Sequence, residues 1–321
     1  MIWDIGYIII GLSVLILGGE FLVKGAVGVA AKARLSTLVI GMTVVSFGTS
    51  APELFVSLKA AYLGSPEIVV GNIIGSNIAN IALVLGLTVI IFPMPVSRNT
   101  IRFDWPMMML SGVLFFWFSY NLWIVFWEGL ILFLMLVFFV WFLIRNSRRK
   151  NKTQADEEDD ADLPDVSDLL PPKKKPIGKY IGFLILGLIG LYFGARWLIT
   201  GASNIGTSFG LTKHVIAITI VAFGTSVPEL VTSVVAAYKK EMDISVGNLI
   251  GSNIFNVMAV LAITSMIKSV EIEQSVVMWD MIWMLIIFIA LLPMMLYKRK
   301  IGRVSGVILL TAYFSYIYLL F

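Results

Sequence analysis

FGTSAPEL at 47–54 returns 176 residues later as FGTSVPEL at 223–230. A second pair keeps the same offset: GNIIGSNIAN at 71–80 and GNLIGSNIFN at 247–256. Weaker echoes stay in register, with Gly18 matching Gly194, Gly25 matching Gly201, Glu67 matching Asp243 and Asp104 matching Asp280. Two matches of this length in one register make the chain a tandem duplication.

The motifs interrupt segments that are otherwise apolar. The 321 residues are 59% hydrophobic and 14% charged, against about 25% charged in soluble domains. Of the 44 charged residues, 17 fall between Arg145 and Lys179, so the remainder is almost free of charge over long distances. Runs of about 20 apolar residues are long enough to cross the hydrocarbon of a bilayer. There is no cysteine, which excludes disulfides, thiolate metal sites and thiol nucleophiles. The amino terminus MIWDIGYIIIGLSVLILGG lacks a cationic leader and a small-residue cleavage site, so it reads as the first span. The net charge of +4 reflects Lys/Arg-rich loops of a membrane protein, not a nucleic-acid surface.

Each half accommodates five spans. In the first they fall at roughly 4–24, 37–61, 68–92, 104–121 and 124–144. In the second they fall at roughly 178–199, 213–237, 244–267, 277–297 and 304–320. Five is odd, so the second half enters the membrane upside down relative to the first, as in many secondary transporters. The expected fold is an all-α polytopic membrane protein: ten transmembrane helices in two inverted five-helix repeats, 1–145 and 177–321, with helices 2 and 7 broken. Between them, 146–176 is a charged, proline-punctuated linker that cannot bury enough surface to order itself. With both termini outside and this linker cytoplasmic, 20 of the 24 Lys/Arg lie on the inner side of a cell membrane, leaving Lys59, Arg196, Lys213 and Lys268 outside.

Twelve acidic residues lie outside the linker, and only Glu53 and Glu229 fall at mid-span depth. Asp104, Glu67, Asp243 and Asp280 begin spans and read as helix caps, and Glu20 reads as a surface pair with Lys24. Pro52 and Pro228 precede the two glutamates and remove amide donors, while Gly48 and Gly224 loosen the same turns. The breaks are expected to free carbonyls near Ser46, Phe47, Ala222 and Phe223, at a depth where protein, water or a cation must satisfy them. In the second motif Ser76 and Asn80, like Ser252 and Asn256, share one helical face. Gly71, Gly75, Gly247 and Gly251 form small-residue stripes expected to draw spans 3 and 8 together. The constellation is two carboxylates with Thr49, Ser50, Thr225, Ser226, Ser76, Ser252, Asn80 and Asn256. All are oxygen donors, which suits hard cations such as Ca²⁺ and disfavours Zn²⁺ or Cu. Two carboxylates balance one Ca²⁺ or two Na⁺, the charge equality that an exchanger needs.

GTSAPE…GNIIGSNIAN and GTSVPE…GNLIGSNIFN resemble the two alpha repeats of the sodium/calcium exchanger family, of prokaryotic type, and the resemblance spans the whole chain. It implies that Glu53 and Glu229 are shared Ca²⁺ and Na⁺ ligands and that Thr49 and Thr225 contribute backbone oxygens. It further implies flanking Na⁺ sites built from Ser50, Ser76, Ser226 and Ser252 with the Ser46 and Ala222 carbonyls, and a centre lined by Asn80 and Asn256. In the family, spans 1 and 6 move across a rigid core of eight helices. Some relatives have Asp where Asn256 stands, and potassium-dependent members carry further acids, so two Asn here argue against K⁺ co-transport.

The function expected is therefore antiport of Na⁺ against Ca²⁺, the ions being substrates and not cofactors, with no nucleic acid and no obligatory protein partner. A proton/calcium exchanger is the alternative, since two buried glutamates could carry protons, although proton-coupled relatives place Glu soon after the Gly-Asn where this chain has Ile-Ile-Gly and Leu-Ile-Gly. A passive channel would use the same oxygens along a continuous pore. An enzyme finds no support: the one histidine, His214, sits near a span end, and no HExxH, nucleophile elbow or phosphate loop is present.

Overall fold

Residues 2–159, 177–209 and 222–320 are described by a computed structural model. Helix α1 is Ile2–Ala33, α2 runs Thr37–Leu63 and α3 runs Pro66–Ile91. They are followed by α4 (Trp105–Phe118) and α5 (Phe126–Asp159). Then come α6 (Ile177–Ser208), α7 (Val227–Tyr238, entered through the short helix Ala222–Thr225) and α8, which runs Met242–Ile267. The last two are α9 (Asp280–Leu296) and α10 (Arg303–Leu320). Among the described residues, 7 helices are long and apolar enough to cross a membrane. The first part of span 7, from residue 213, and His214 lie outside the described residues.

Several helices outrun their expected ends. Helix α1 continues nine residues past Lys24, whose ammonium lies 5.1 Å from the Phe183 ring centroid, so the charge finds a π face and does not end the helix. Helix α6 likewise continues to Ser208. Helix α5 runs into the charged segment as far as Asp159, where no ordered structure was expected, and 160–176 lie outside the described residues.

Burial sorts the helices. In α3 and α8, 83% of the most apolar window is enclosed by protein, against 28% in α1, α5 and α6. The two helices that carry the second motif therefore form the centre, and the apolar outer faces of the others are suited to lipid. Helices α1 and α6 pack against each other antiparallel through glycines. A Cβ on Gly18 would stand 2.8 Å from the Leu191 amide nitrogen, and one on Gly187 would stand 2.5 Å from that of Leu22. Gly11, Gly25, Gly194 and Gly201 make similar backbone approaches, so the seam has no interlocking side chains at these points.

The second-motif glycines behave differently from expectation. Gly247 and Gly251 of α8 admit Leu38 and Met42 of α2, not span 3. Counterparts of these residues for Gly71 and Gly75, at positions 214 and 218 by the repeat offset, lie outside the described residues. The polar ends also need correction. Glu20 pairs with Lys239 at the end of α7 (3.5 Å), not with Lys24, because Lys239 approaches from a packed neighbour. Glu67, Asp243 and Asp280 sit in first turns without a side-chain capping bond. Asp104 begins no helix: it closes a π-helical turn, Thr100–Asp104, that runs on into α4.

Among the described residues there are also four two-residue strands: β1 (Met94–Pro95), β2 (Trp123–Ile124), β3 (Val270–Glu271) and β4 (Lys300–Ile301). β1 pairs antiparallel with β4 and β2 with β3, so each bridge joins one repeat to the other.

Candidate functional site

The sequence breaks α2 where proline requires it. Ser50 has φ −84° and ψ 3°, outside helical values, and Ser226 repeats this with φ −89° and ψ 0°. Each helix restarts at once: Leu54 N–H donates to the Ser50 carbonyl (3.2 Å), and Leu230 N–H donates to that of Ser226 (3.1 Å). Glu53 and Glu229 thereby fall in the first turn of a new helix, where unpaired amides and the helix dipole favour a negative charge. The break places an anion and holds it.

Both glutamates are buried, at 1% and 0% exposure. Their carboxyls are near enough across the repeats to feel each other's charge; Ser76 lies beside Glu53, and Thr49 and Ser252 lie beside Glu229. Among the described residues no group hydrogen-bonds either oxygen of Glu229 or Oε2 of Glu53. Two like charges enclosed together with so few hydrogen bonds to their oxygens are costly, and a bound cation is what would offset them.

The surroundings are oriented by hydrogen bonds that recur in both repeats. Asn72 Nδ2 donates to Ser57 Oγ (3.0 Å), and at the equivalent positions Asn248 Nδ2 donates to Ser233 Oγ (3.2 Å). Asn72 Nδ2 also reaches the Glu53 carbonyl (3.1 Å). Asn248 Oδ1 accepts from the Thr49 hydroxyl (3.1 Å), which is 3.4 Å from Ser252 Oγ. Asn80 and Asn256 lie in matching π-helical stretches, Ala79–Leu85 and Asn256–Leu261, the kind of local widening that often marks a functional position. Asn256 Nδ2 donates to Asn77 Oδ1 (3.1 Å), while both polar atoms of the Asn80 amide are buried with no hydrogen-bond partner among the described residues.

The geometry brings Glu53, Glu229, Thr49, Ser76 and Ser252 together. Ser50 and Ser226 stand at the two breaks with buried hydroxyls that have no partner among the described residues. Thr225 is buried at the position equivalent to Thr49, and Ala222 opens the short helix that leads to the second break. Ser46 differs from expectation. Its carbonyl is not freed, because it accepts the Ser50 amide at 2.9 Å one residue group before the break takes effect. Its hydroxyl donates to the carbonyls of Gly41 (2.8 Å) and Asn248 (3.0 Å), fastening α2 to α8. Asn72, Asn77, Asn248, Ser57 and Ser233 were not singled out from the sequence. The signal was available: each of Asn72, Asn77 and Ser57 recurs at the 176-residue offset, and Asn72 precedes Ser76 by one helical turn.

Buried carboxylates ringed by hydroxyls and amides, on paired broken helices in an apolar bundle, define a membrane protein that handles hard cations. Comparison with known proteins names the group. The family described as Sodium/calcium exchanger protein matches residues 3–145 and again 179–321, the two segments displaced by the same 176 residues as the motifs. The chain belongs to this family, whose members are transporters that carry out cation/calcium antiport. It is 36% identical over 318 residues to CaxA of Alkalimonas amylolytica, named as a candidate antiporter, with 98% of each chain covered. It is 29% identical over 340 residues to the sodium/calcium exchanger MaX1 of Methanosarcina acetivorans, covering 98% of this chain and 97% of that one. The crystal structure of the sodium-calcium exchanger NCX_Mj soaked with zero Na⁺ and Ca²⁺ superposes with a TM-score of 0.84, at 31% identity, over 100% of this chain and 99% of the other.

Proposed function

We propose that this chain exchanges Na⁺ for Ca²⁺ by alternating access at a central site shared between the repeats. The single observation that carries this reading is the pair Glu53 and Glu229, equivalent in the repeats, enclosed, close enough to repel each other and short of hydrogen bonds. Glu53 and Glu229 ligate both ions, with Thr49, Thr225, Ser50, Ser226, Ser76, Ser252, Asn80 and Asn256 supplying uncharged oxygens and the backbone at Ser46 and Ala222 flanking them. One Ca²⁺ or two Na⁺ neutralise the same pair, so either load stabilises a site that is penalised when empty. The names of MaX1 and NCX_Mj, both sodium/calcium exchangers, support Na⁺ and Ca²⁺ as the substrates.

The architecture that goes with this function is ten spans in two inverted repeats, 1–145 and 177–321, joined by a cytoplasmic segment, with both termini outside a cell membrane. The strand bridges support inversion. β1 and β3 are equivalent in the repeats, and β1 and β2 are separated by the single helix α4, yet β1 pairs with β4 and β2 with β3. Equivalent segments then lie on opposite faces. The glycine seam between α1 and α6 supports movement of that pair against the rest.

The test is Ca²⁺ uptake into proteoliposomes holding the purified protein, under an imposed Na⁺ gradient or an imposed pH gradient. Uptake driven by outward Na⁺ supports the assignment. Uptake driven by ΔpH in Na⁺-free buffer would make the chain a proton exchanger.

A further inference from the structure

Asp104 is the other enclosed carboxylate of the first repeat, and the central site does not use it. It is 1% exposed, and neither oxygen has a hydrogen-bond partner among the described residues. The Thr100 hydroxyl lies beside it and is also 3.0 Å from Ser97 Oγ, a contact in which either oxygen can be the donor. A buried, unpaired carboxylate costs several kcal/mol, so its persistence calls for a ligand or a proton.

The second repeat shows what a satisfied version looks like. Asp280, equivalent to Asp104, accepts a hydrogen bond from the Tyr316 hydroxyl at 2.8 Å. The residue equivalent to Tyr316 is Val140, which has nothing to donate. In place of a tyrosine hydroxyl, Asp104 borders a half-enclosed cavity of about 70 Å³, its two carboxylate oxygens almost wholly covered. Ser36, Asn99, Asn146 and Ser147 line it with oxygen-bearing side chains. Ser36 Oγ and Ser147 Oγ are already held as acceptors, by the Val39 amide (3.3 Å) and the Ser36 amide (2.8 Å), which fixes their positions. The volume suits one ion with a water or two, at about 30 Å³ of liquid volume per water. Asp243, at the start of α8, adds a second negative charge nearby.

We propose that this cavity is a second cation site, separate from Glu53 and Glu229, in which Asp104 with the oxygens of Ser36, Asn99, Asn146 and Ser147 holds one monovalent alkali cation. One carboxylate balances one such ion, and the polar side of the cavity, set against apolar Leu38, Val39, Phe103 and Leu143, offers oxygens that suit Na⁺ or K⁺. The site is confined to the first repeat because only there is the tyrosine absent. It lies where the start of α2 and the stretch of α5 around Asn146 meet the turn before α4.

Thermal unfolding of the full-length purified protein tests this, with NaCl, KCl or CaCl₂ titrated at constant ionic strength against N-methyl-D-glucamine chloride. In the Glu53→Gln/Glu229→Gln background a monovalent salt should still raise the melting temperature saturably, since a ligand bound only by the folded state stabilises it. Adding Asp104→Asn should abolish that rise. Val140→Tyr, which restores the hydroxyl of the second repeat and keeps Asp104, should abolish it independently. The Asp104→Asn difference is also measured with both glutamates intact, so it stands or falls apart from the central assignment. No saturable monovalent effect, an effect from Ca²⁺ alone, or an effect that survives both substitutions would overturn the proposal.

Discussion

Asn256 donates to Asn77 across the two repeats at 3.1 Å, and Asn77 in turn reaches the Met284 sulfur at 3.6 Å. Both amides are fully enclosed. Asn77→Leu leaves Asn256 with a buried donor and no acceptor, and should destabilise the protein by about 1–3 kcal/mol. The double variant Asn77→Leu/Asn256→Leu removes both halves of the pair and should cost less than the sum of the single changes. Unfolding of the four proteins in one detergent reads the coupling; strict additivity would mean the contact carries no energy.

Glu53→Gln and Glu229→Gln preserve shape and remove one charge. Each variant should stay folded and lose Ca²⁺ exchange by about 10²–10³-fold, the equivalent of roughly 3–4 kcal/mol, for breaking a buried ionic arrangement. Near-normal ⁴⁵Ca²⁺ exchange by either purified variant would remove that residue from the site.

Protons and Ca²⁺ compete for the same carboxylate oxygens. Acidification should therefore raise the apparent KM for Ca²⁺ and leave the maximal rate nearly unchanged at saturating Ca²⁺. A fall in maximal rate that Ca²⁺ cannot restore would place the titrating group outside the site. If more than two Na⁺ move per Ca²⁺, each cycle carries charge, and a membrane potential should bias flux by about 2.3 kcal/mol per charge per 100 mV.

The absence of cysteine makes topology directly measurable. A membrane-impermeant thiol reagent added outside intact cells should label Asn121→Cys and spare Asn151→Cys. Asn121 is exposed in the loop before β2. The reverse pattern would invert the orientation drawn from the cations.

The seam between α1 and α6 admits no Cβ at Gly11, Gly18, Gly25, Gly187 or Gly194. At Gly187 the obstacle is the Leu22 backbone, which cannot rotate away. Gly187→Val should thus overpack the seam, at about 1–3 kcal/mol, and slow exchange more than it weakens Ca²⁺ binding. Equal losses in rate and affinity would mean the whole site had moved.

Much of this was legible because duplication writes each feature twice. The breaks at Ser50 and Ser226 follow from prolines one residue before glutamates, a local rule that needs no partner. Glu53 and Glu229 were found by depth in the span, which apolar run length fixes. Contacts between helices were less readable. Glu20 pairs with Lys239 and not with Lys24 because the packed neighbour offers a better position than the same helix. Asp104 read as a cap because a carboxylate at a span end ordinarily is one. Its burial, and the π-helical turn that carries it on into α4, show it to be inside the fold. The supporting amides of Asn72 and Asn248 were hidden in plain repetition, since their role depends on Ser57 and Ser233, fifteen residues back on another helix.

The strand bridges bear on how the molecule is made. β1 finds its mate only in β4, and β2 only in β3, so a ribosome that has released the first repeat has released two ribbons whose partners are not yet translated. The same is true of Thr49, whose acceptor Asn248 is 199 residues downstream. The first half must wait in the bilayer with a glutamate at mid-depth and no facing half to enclose it. A nascent chain in that condition depends on the insertion machinery or on speed, and two halves made as separate polypeptides would be expected to seek each other and not their own kind.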